Sequence, residues 1–227
     1  MKYLRLVEKD IDVRSLLDEI EANSELWYLD TTRQEKITYQ RETHTIALRC
    51  HADTAGDDSR VRRAKPLGYH GRPTSMSEKL PLNSDYVDQL VRTMNGTIGR
   101  CVLAKLAPNG KIYRHTDDGL YWLLRDRYHL ALKSINGSHF KVGGDEVRMQ
   151  EGELWWFDHT AAHEAFNDSD EDRIHLIVDV MSAHSMKTFG RRVLRHPLRA
   201  LRAFFNAAVR RLAFSFRQRR SGVSAKT

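Results

Sequence analysis

Short strand-like segments alternate with turn sequences from Arg100 to Val180. The segments read RCVLAKL, KIYRH, RYHLALKS, VRMQ, ELWWF, HEAF and RIHLIVDV, and the turns between them include APNG, NGS and GGDE. Regularly spaced short strands separated by Gly-rich and Asn-rich turns are typical of antiparallel sandwiches and barrels. The pattern therefore predicts a mainly β domain, of the α+β class, over this part of the chain.

Helical spacing of apolar residues predicts two amphipathic helices before these strands. One follows Asp10 and the other follows Ser84, and both residue types are favoured N-caps, so each helix is expected to begin there. Between the helices, residues 37–49 alternate as one or two strands, and a long basic loop runs over 60–81.

The last segment of the chain predicts a basic amphipathic helix. Residues 187–227 contain twelve Lys or Arg and no acid, although the whole chain carries 37 basic and 30 acidic residues. One helical face gathers the apolar side chains of Leu198, Leu201, Phe205, Ala208, Val209, Leu212 and Phe216. We therefore divide the chain into a domain over 1–185 and a basic arm over 186–227.

Three roles compete for this arm. The helix could pack on the domain as a last core element, or residues 190–220 could lie on an anionic membrane surface, which suits the apolar face and the arginines together. Nucleic acid is the least favoured partner because it leaves the phenylalanines unexplained. The sequence slightly favours the membrane over packing on the core.

Composition excludes several other classes of protein. No stretch approaches the ~20 apolar residues of a membrane-spanning helix, and Met1–Leu17 carries charges where a signal peptide needs an apolar run. Cys50 and Cys101 have no partner at a disulfide or zinc spacing. A cytoplasmic protein is therefore expected.

The chemistry suggested by the residues centres on His115-Thr116-Asp117. A non-haem Fe(II) site takes two imidazoles and one carboxylate on one face of the metal. His163, at the start of a later strand, is the expected second histidine, with His159 as an alternative to it and Asp118 as an alternative to Asp117. Such a trio could also be strand-end residues that never meet.

Two further features bear on this site. Arg173 stands ten residues beyond His163 at the head of an apolar strand, where a guanidinium needs a partner such as a bidentate carboxylate of 2-oxoglutarate. His51, Asp53, His115 and Arg125 repeat the same pattern, but His51 and Asp53 descend directly into a polar loop, so this second set is disfavoured.

Three segments together carry a resemblance to a known family. PNGKIYRHTD, RYHLAL and FDHTAAHEAFNDSDEDR resemble the catalytic domain of the aspartyl/asparaginyl β-hydroxylases, which are Fe(II)- and 2-oxoglutarate-dependent dioxygenases on a double-stranded β-helix. The resemblance covers roughly residues 95–180. It implies a double-stranded β-helix core there, flanked by the N-terminal helices and the C-terminal basic helix.

The resemblance also implies roles for individual residues. His115 and His163 become metal ligands, Arg173 becomes the partner of the distal carboxylate of 2-oxoglutarate, and Arg127 and His129 become contacts to that co-substrate. The animal peptide hydroxylases of the family lack a carboxylate at the position of Asp117. Related bacterial hydroxylases that act on free proline have a His-x-Asp there, so Asp117 is expected to complete the triad of metal ligands.

The implied function is hydroxylation of an unactivated C–H bond with dioxygen and 2-oxoglutarate, releasing succinate and CO2. The substrate would be a free amino acid or other small molecule, a peptide or a lipid acyl chain, and the protein would be cytoplasmic or peripheral on the inner membrane face. The alternative is a catalytically silent β-helix protein, recruited to a membrane or another anionic partner through its basic helix.

Overall fold

The computed structural model describes residues 1–50, 70–135 and 138–209. The helices are α1 (Arg14–Ala22), α2 (Thr32–Lys36), α3 (Ser75–Lys79), α4 (Pro81–Thr93), α5 (Leu120–Leu123), α6 (Ala183–Arg195) and α7, which covers 197–209. The strands are β1 (Leu4–Glu8), β2 (Thr43–Cys50), β3 (Arg72–Pro73), β4 (Thr97–Leu106), β5 (Lys111–His115), β6 (Asp126–Lys133), β7 (Ser138–Val142), β8 (Asp145–Val147), β9 (Leu154–Phe157), β10 (His163–Asn167) and β11 (Arg173–Met181).

The strands form two antiparallel sheets. The larger has the order β1-β9-β6-β11-β4-β2-β3, and the smaller has the order β5-β10-β7-β8. From β4 onward most consecutive strands lie in different sheets, as β4 and β5 or β9 and β10 do, whereas β1 to β4 all belong to the larger sheet. The inner faces of the two sheets share a core. This is the expected double-stranded β-helix, and the predicted fold class is confirmed.

Successive side chains of a strand point to opposite faces of the sheet, so the two faces of the larger sheet are lined by different residues. In β6 and β11 one set of side chains, which includes Leu130 and Leu176, joins the apolar core shared with α1 and α4. The other set carries Arg127 and His129 on β6 and Arg173, His175 and Asp179 on β11. These polar side chains therefore share the face turned toward the smaller sheet.

Both predicted helix starts were wrong. Asp10 adopts a left-handed backbone conformation with φ 61°, and α1 begins four residues later, where Asp12 Oδ1 accepts a hydrogen bond from the Arg14 N–H at 3.0 Å. Helix α4 begins at Pro81, whose fixed φ suits a first helical position, so Ser84 lies within the first turn. Its hydroxyl donates to the Ser77 carbonyl oxygen at 3.1 Å.

Two strand predictions were too long. Residues 38–40 form a 3-10 turn, so of the predicted segment 37–49 only the part from Thr43 onward is strand, and β8 takes only Val147 from VRMQ. Most of the other predicted segments match strands within a few residues, and the NGS turn falls partly on residues outside the described ranges.

Helices α6 and α7 follow the last strand. Ser182 caps α6 with a capping box, and the predicted boundary between 185 and 186 falls inside this helix. Ala200 and Ala203 of α7 pack with Leu123 of α5 in a small apolar cluster. Within the described residues, no helix combines the length and the apolar content needed to cross a bilayer.

Candidate metal centre and its charged surroundings

Three predicted ligands come together where β5 and β10 pair. His115 is the last residue of β5, His163 is the first residue of β10, and the two are direct partners in the antiparallel ladder. Asp117 lies two residues after His115, and its backbone N–H donates to the His159 carbonyl oxygen at 3.1 Å. Potential ligand atoms of His115, Asp117 and His163 all lie within 4.8 Å of one another, so the set could hold one metal ion.

Backbone carbonyls fix the tautomers of both histidines. His115 Nδ1 lies 2.7 Å from the Tyr113 carbonyl oxygen, and His163 Nδ1 lies 3.0 Å from that of Ala161. A carbonyl oxygen can only accept, so Nδ1 carries the proton in each ring and Nε2 offers its lone pair. Metal-ligating histidines are oriented in this manner, with the second nitrogen donating to a carbonyl or carboxylate.

Arg127 connects Asp117 to a second carboxylate. Its Nη1 donates to Asp117 Oδ2 at 2.6 Å, while Nε and Nη2 donate to the two oxygens of Asp179 at 2.8 and 3.1 Å. The Tyr121 hydroxyl also donates to Asp179 at 3.1 Å. One guanidinium therefore joins the candidate ligand Asp117 to the buried carboxylate of Asp179.

These contacts set the protonation states that a metal needs. Burial disfavours ionisation of Asp117, but the Arg127 guanidinium and the neighbouring histidines together outweigh burial and hold the pKa of this carboxyl well below its usual range. Burial lowers the pKa of His163 to about 3, against an opposing pull from Asp117. At neutral pH the site therefore offers one carboxylate and a neutral His163 imidazole, which are the forms that ligate metals.

Arg173 has a different environment in the same interior. Its side chain is buried, and among the described residues no carboxylate lies within ion-pair distance of it. Its Nη2 lies 3.0 Å from His175 Nδ1, and its Nε has no hydrogen-bond partner in the described structure. Burial lowers the pKa of Arg173 to about 9, with no carboxylate to oppose it.

A row of rings joins Arg173 to the three ligands. His175 Nδ1 lies 3.4 Å from His129 Nδ1, and the His129 ring contacts Phe157 at a centroid distance of 4.9 Å. Phe157 in turn lies 5.3 Å from the His163 ring. The cation and the candidate metal ligands thus face one interior, with apolar and neutral polar side chains between them.

The alternatives left open by the sequence are arranged differently. His159 is buried with its Nε2 2.9 Å from the Trp122 carbonyl oxygen, and it does not belong to the cluster of potential ligands. Asp118 is exposed and does not belong to the cluster. His51 and Asp53 lie outside the described residues.

Two polar partners in this interior were not foreseen. Asp179, the partner of Arg127, lies in the apolar-looking strand RIHLIVDV, and its phase with Arg173 and His175 was the available signal. His175 is the second of these partners, and it stands in the same strand phase as Arg173. It lies beside Arg173 and His129, and its Nε2 has no partner in the described structure.

Comparison with known proteins bears on what this site is. The family model for aspartyl/asparaginyl β-hydroxylase matches residues 29–183, which is more than half of the chain. The chain belongs to this family. The matched range contains His115, Asp117, His163 and Arg173, and it ends at the start of α6.

Solved structures similar to this aspartyl/asparaginyl β-hydroxylase family member have low sequence identity. An oxidoreductase of the 2OG-Fe(II) oxygenase family from Burkholderia pseudomallei is 14% identical, with a TM-score of 0.43 over 61% of this chain and 67% of that chain. A cupin domain from Bordetella pertussis is 12% identical, with a TM-score of 0.29 over 37% and 90%. A predicted oxalate decarboxylase from Thermotoga maritima is 17% identical, with a TM-score of 0.31 over 41% and 73%. A comparison with curated proteins gave no match.

Proposed function

We propose that this protein is an Fe(II)- and 2-oxoglutarate-dependent hydroxylase acting on an unactivated C–H bond of an amino-acid, peptide or lipid acyl substrate. The observation that carries the proposal is the convergence of His115, Asp117 and His163 in the interior that also holds Arg173. Two imidazoles and one carboxylate are the ligand set of non-haem Fe(II) oxygenases. Membership of the hydroxylase family supports the same chemistry.

Each group has a role in this proposal. His115, Asp117 and His163 would hold iron, and Arg173 would bind the distal carboxylate of 2-oxoglutarate. Iron bound there supplies dioxygen activation, in which one oxygen atom goes to the substrate as hydroxyl and the other to succinate as 2-oxoglutarate loses CO2. The residues fit these groups, because the triad has the donor types that Fe(II) takes and Arg173 lacks a carboxylate among the described residues.

The remaining interior side chains prepare the site. Arg127 keeps Asp117 ionised and directs one of its oxygens away from the guanidinium, and Asp179 holds Arg127 in place. Phe140 and Phe157 flank His129 and His163, which limits the access of water to the ligands. Direct contact of Arg127 and His129 with the co-substrate stays a prediction.

The test is 2-oxoglutarate turnover by the full chain, purified without oxygen and loaded with Fe(II). Succinate and CO2 are measured after oxygen is admitted, for the unaltered protein, His163→Ala, Asp117→Asn and Asp118→Asn. Asp118 is the matched control because it is the exposed neighbour of Asp117. We expect turnover to fall to background in the first two variants and to persist in Asp118→Asn.

A binding measurement complements the turnover assay, since some oxygenases consume oxygen only with substrate present. Adding 2-oxoglutarate to the anaerobic Fe(II) protein should produce an optical band that His163→Ala lacks. Absence of both turnover and the band in the unaltered protein would contradict the proposal and favour the silent β-helix alternative.

A further inference from the structure

Helix α7 presents its small residues to the domain and its large apolar residues outward. Ala200 and Ala203 are only 2% and 5% exposed, and they pack with α5. Leu198, Leu201 and Phe205, on the opposite side of the helix at about 100° per residue, are 81%, 68% and 67% exposed. A helix that belonged only to the core would have the reverse orientation, with the large apolar residues inside.

The outward face is continuous along the helix. Leu198, Leu201, Phe205 and Val209 follow an i, i+3, i+7, i+11 spacing. Phe204, which is 42% exposed and also makes an edge contact with Phe189 of α6, extends the face on one side. All five are exposed in the described structure. Single exposed apolar residues are common on protein surfaces, but a continuous row of five indicates a surface that binds something. We call these five residues the α7 outer face.

Cations border the α7 outer face. Arg199 and Arg202 are exposed and lie along one edge of it, with Asn206 beside them. Residues 187–227 contain no acidic residue, so the helix lies in a stretch of chain of uniformly positive charge. The surface that covers this face must therefore accept apolar side chains and attract arginines.

We propose that the α7 outer face lies on the surface of an anionic phospholipid bilayer, with its leucines and phenylalanines among the acyl chains and its arginines at the headgroups. A bilayer supplies both environments at the depth of a single helix. A second copy of the chain would bring two all-positive segments together. A nucleic acid would accept the arginines and leave the apolar row in water. The inference does not rest on the proposed hydroxylase activity.

Helix α7 is connected to the candidate metal centre through α5. It packs on α5, and α5 begins three residues after Asp117. Helix α6, directly before it, is fixed by Arg192, whose Nη1 donates to the Arg125 carbonyl oxygen at 2.7 Å. Bilayer binding through this face would therefore hold α5, and with it the chain segment that follows Asp117, near the membrane surface.

The experiment is co-sedimentation of the full chain with vesicles of phosphatidylcholine alone and of phosphatidylcholine mixed with phosphatidylglycerol. The variants are Leu201→Ser/Phe205→Ser in the α7 outer face and Arg199→Gln/Arg202→Gln at its edge. The matched control is Leu29→Ser/Leu82→Ser, which removes two exposed leucines elsewhere. Thermal melts establish that each variant is folded, as expected for exposed positions.

We expect the unaltered chain to bind the mixed vesicles and not those of phosphatidylcholine alone, with binding that weakens as salt rises. The serine variant should lose at least about tenfold in partitioning, because two large apolar side chains no longer enter the bilayer. The glutamine variant should lose roughly tenfold and show a weaker salt dependence. The control should bind like the unaltered chain.

Several results would overturn the proposal. Equal binding by the serine variant would show that the α7 outer face is not the contact, and equal binding to both vesicle types would remove the role of anionic lipid. Failure to bind vesicles, together with a dimer that the serine substitutions dissociate, would identify a second copy as the occupant. Failure to bind vesicles, together with retention of DNA or RNA that depends on the arginines alone, would identify nucleic acid.

Discussion

Arg127 and Arg173 are both buried cations facing the same interior, but their partners differ. Arg127 contacts Asp117 and Asp179 within 3.1 Å, whereas the described residues offer Arg173 only the neutral ring of His175. Burying a charge without a counter-ion is costly, so a protein that keeps one gains by binding an anion there. Arg127 is therefore suited to positioning Asp117 within the protein, and Arg173 is suited to binding the carboxylate of a ligand.

Replacing Arg173 by Met should separate stability from ligand binding. We expect the ligand-free protein to become as stable or more stable, by up to roughly 3 kcal/mol, because an uncompensated buried charge is removed. The thermal stabilisation by 2-oxoglutarate should disappear. Differential scanning calorimetry with and without 2-oxoglutarate measures both. A variant that keeps the full ligand-induced shift would show that Arg173 does not bind the carboxylate.

Replacing Arg127 by Lys should weaken metal binding while retaining the charge. A lysine cannot bridge Asp117 and Asp179 with a planar fork, so the orientation of the Asp117 carboxylate is lost. Loss of such an outer partner typically lowers metal affinity by about 10–100-fold. Titration with Co²⁺ as an Fe(II) surrogate gives the affinity, and a melt in EDTA gives the stability. Unchanged affinity in a folded variant would exclude the positioning role.

At the scale of elements, helix α6 is anchored to the strands that carry the site. Arg192 is buried and donates to Asp126 Oδ1 at 2.7 Å, and Thr188 donates to the same oxygen at 2.9 Å. Burial opposes ionisation of Asp126, but Arg192, together with Trp156 and His184, outweighs burial and lowers the pKa of the carboxyl. Arg195 also bonds Asp158, in the turn before β10. The helix thus contacts the start of β6, which follows Asp117 in the chain, and the turn that precedes His163.

Two adjacent arginines of α6 should differ sharply in their effect on stability. We expect Arg192→Met to lower the free energy of unfolding by about 3–5 kcal/mol, because Asp126 is left buried without its cation. Arg191→Met, at an exposed position on the same helix, should change it by less than about 0.5 kcal/mol. Urea unfolding followed by tryptophan fluorescence measures both. Equal effects would mean that the Arg192 contacts contribute little.

At the scale of the whole molecule, four histidines are buried in an environment that disfavours their protonation. Burial lowers the pKa of His159 to about 4 and that of His163 to about 3. Burial also lowers the pKa of His129 and of His175, with nearby cationic or imidazole groups adding to the effect. In the unfolded chain each would titrate near 6.5.

The metal-free protein should therefore lose stability as pH falls below about 6.5. Between that value and the folded pKa values, the unfolded state binds more protons, and each histidine adds a slope approaching about 1.4 kcal/mol per pH unit. Urea midpoints in EDTA at pH 7, 6 and 5 test the trend. His159→Gln, whose amide could still donate to the Trp122 carbonyl, should reduce the slope by about a quarter. A stability that is flat from pH 7 to 5 would contradict the prediction.

The sequence by itself determined where most of the core strands lie along the chain and the types of residue at the site. Alternation placed β4, β5, β6, β10 and β11 within a few residues, because a half-buried strand needs apolar side chains at every second position. His115, Asp117 and His163 stood at the ends of such strands, and the resemblance to the hydroxylase family implied that they meet as metal ligands. The N-cap preferences of Asp10 and Ser84 predicted the wrong helix starts, because the chain begins these helices at Arg14 and Pro81.

Only the tertiary structure decided which side chains meet. The pairing of β5 with β10 puts His163 opposite His115, although 47 intervening residues separate them in the chain. The pairing of β6 with β11 brings Asp179 to Arg127 and leaves Arg173 without a carboxylate among the described residues. The orientation of α7, with alanines inward and leucines outward, likewise depends on packing against α5. Sequence periodicity reports that a face is apolar, but the partner of that face is set by contacts between residues far apart in the chain.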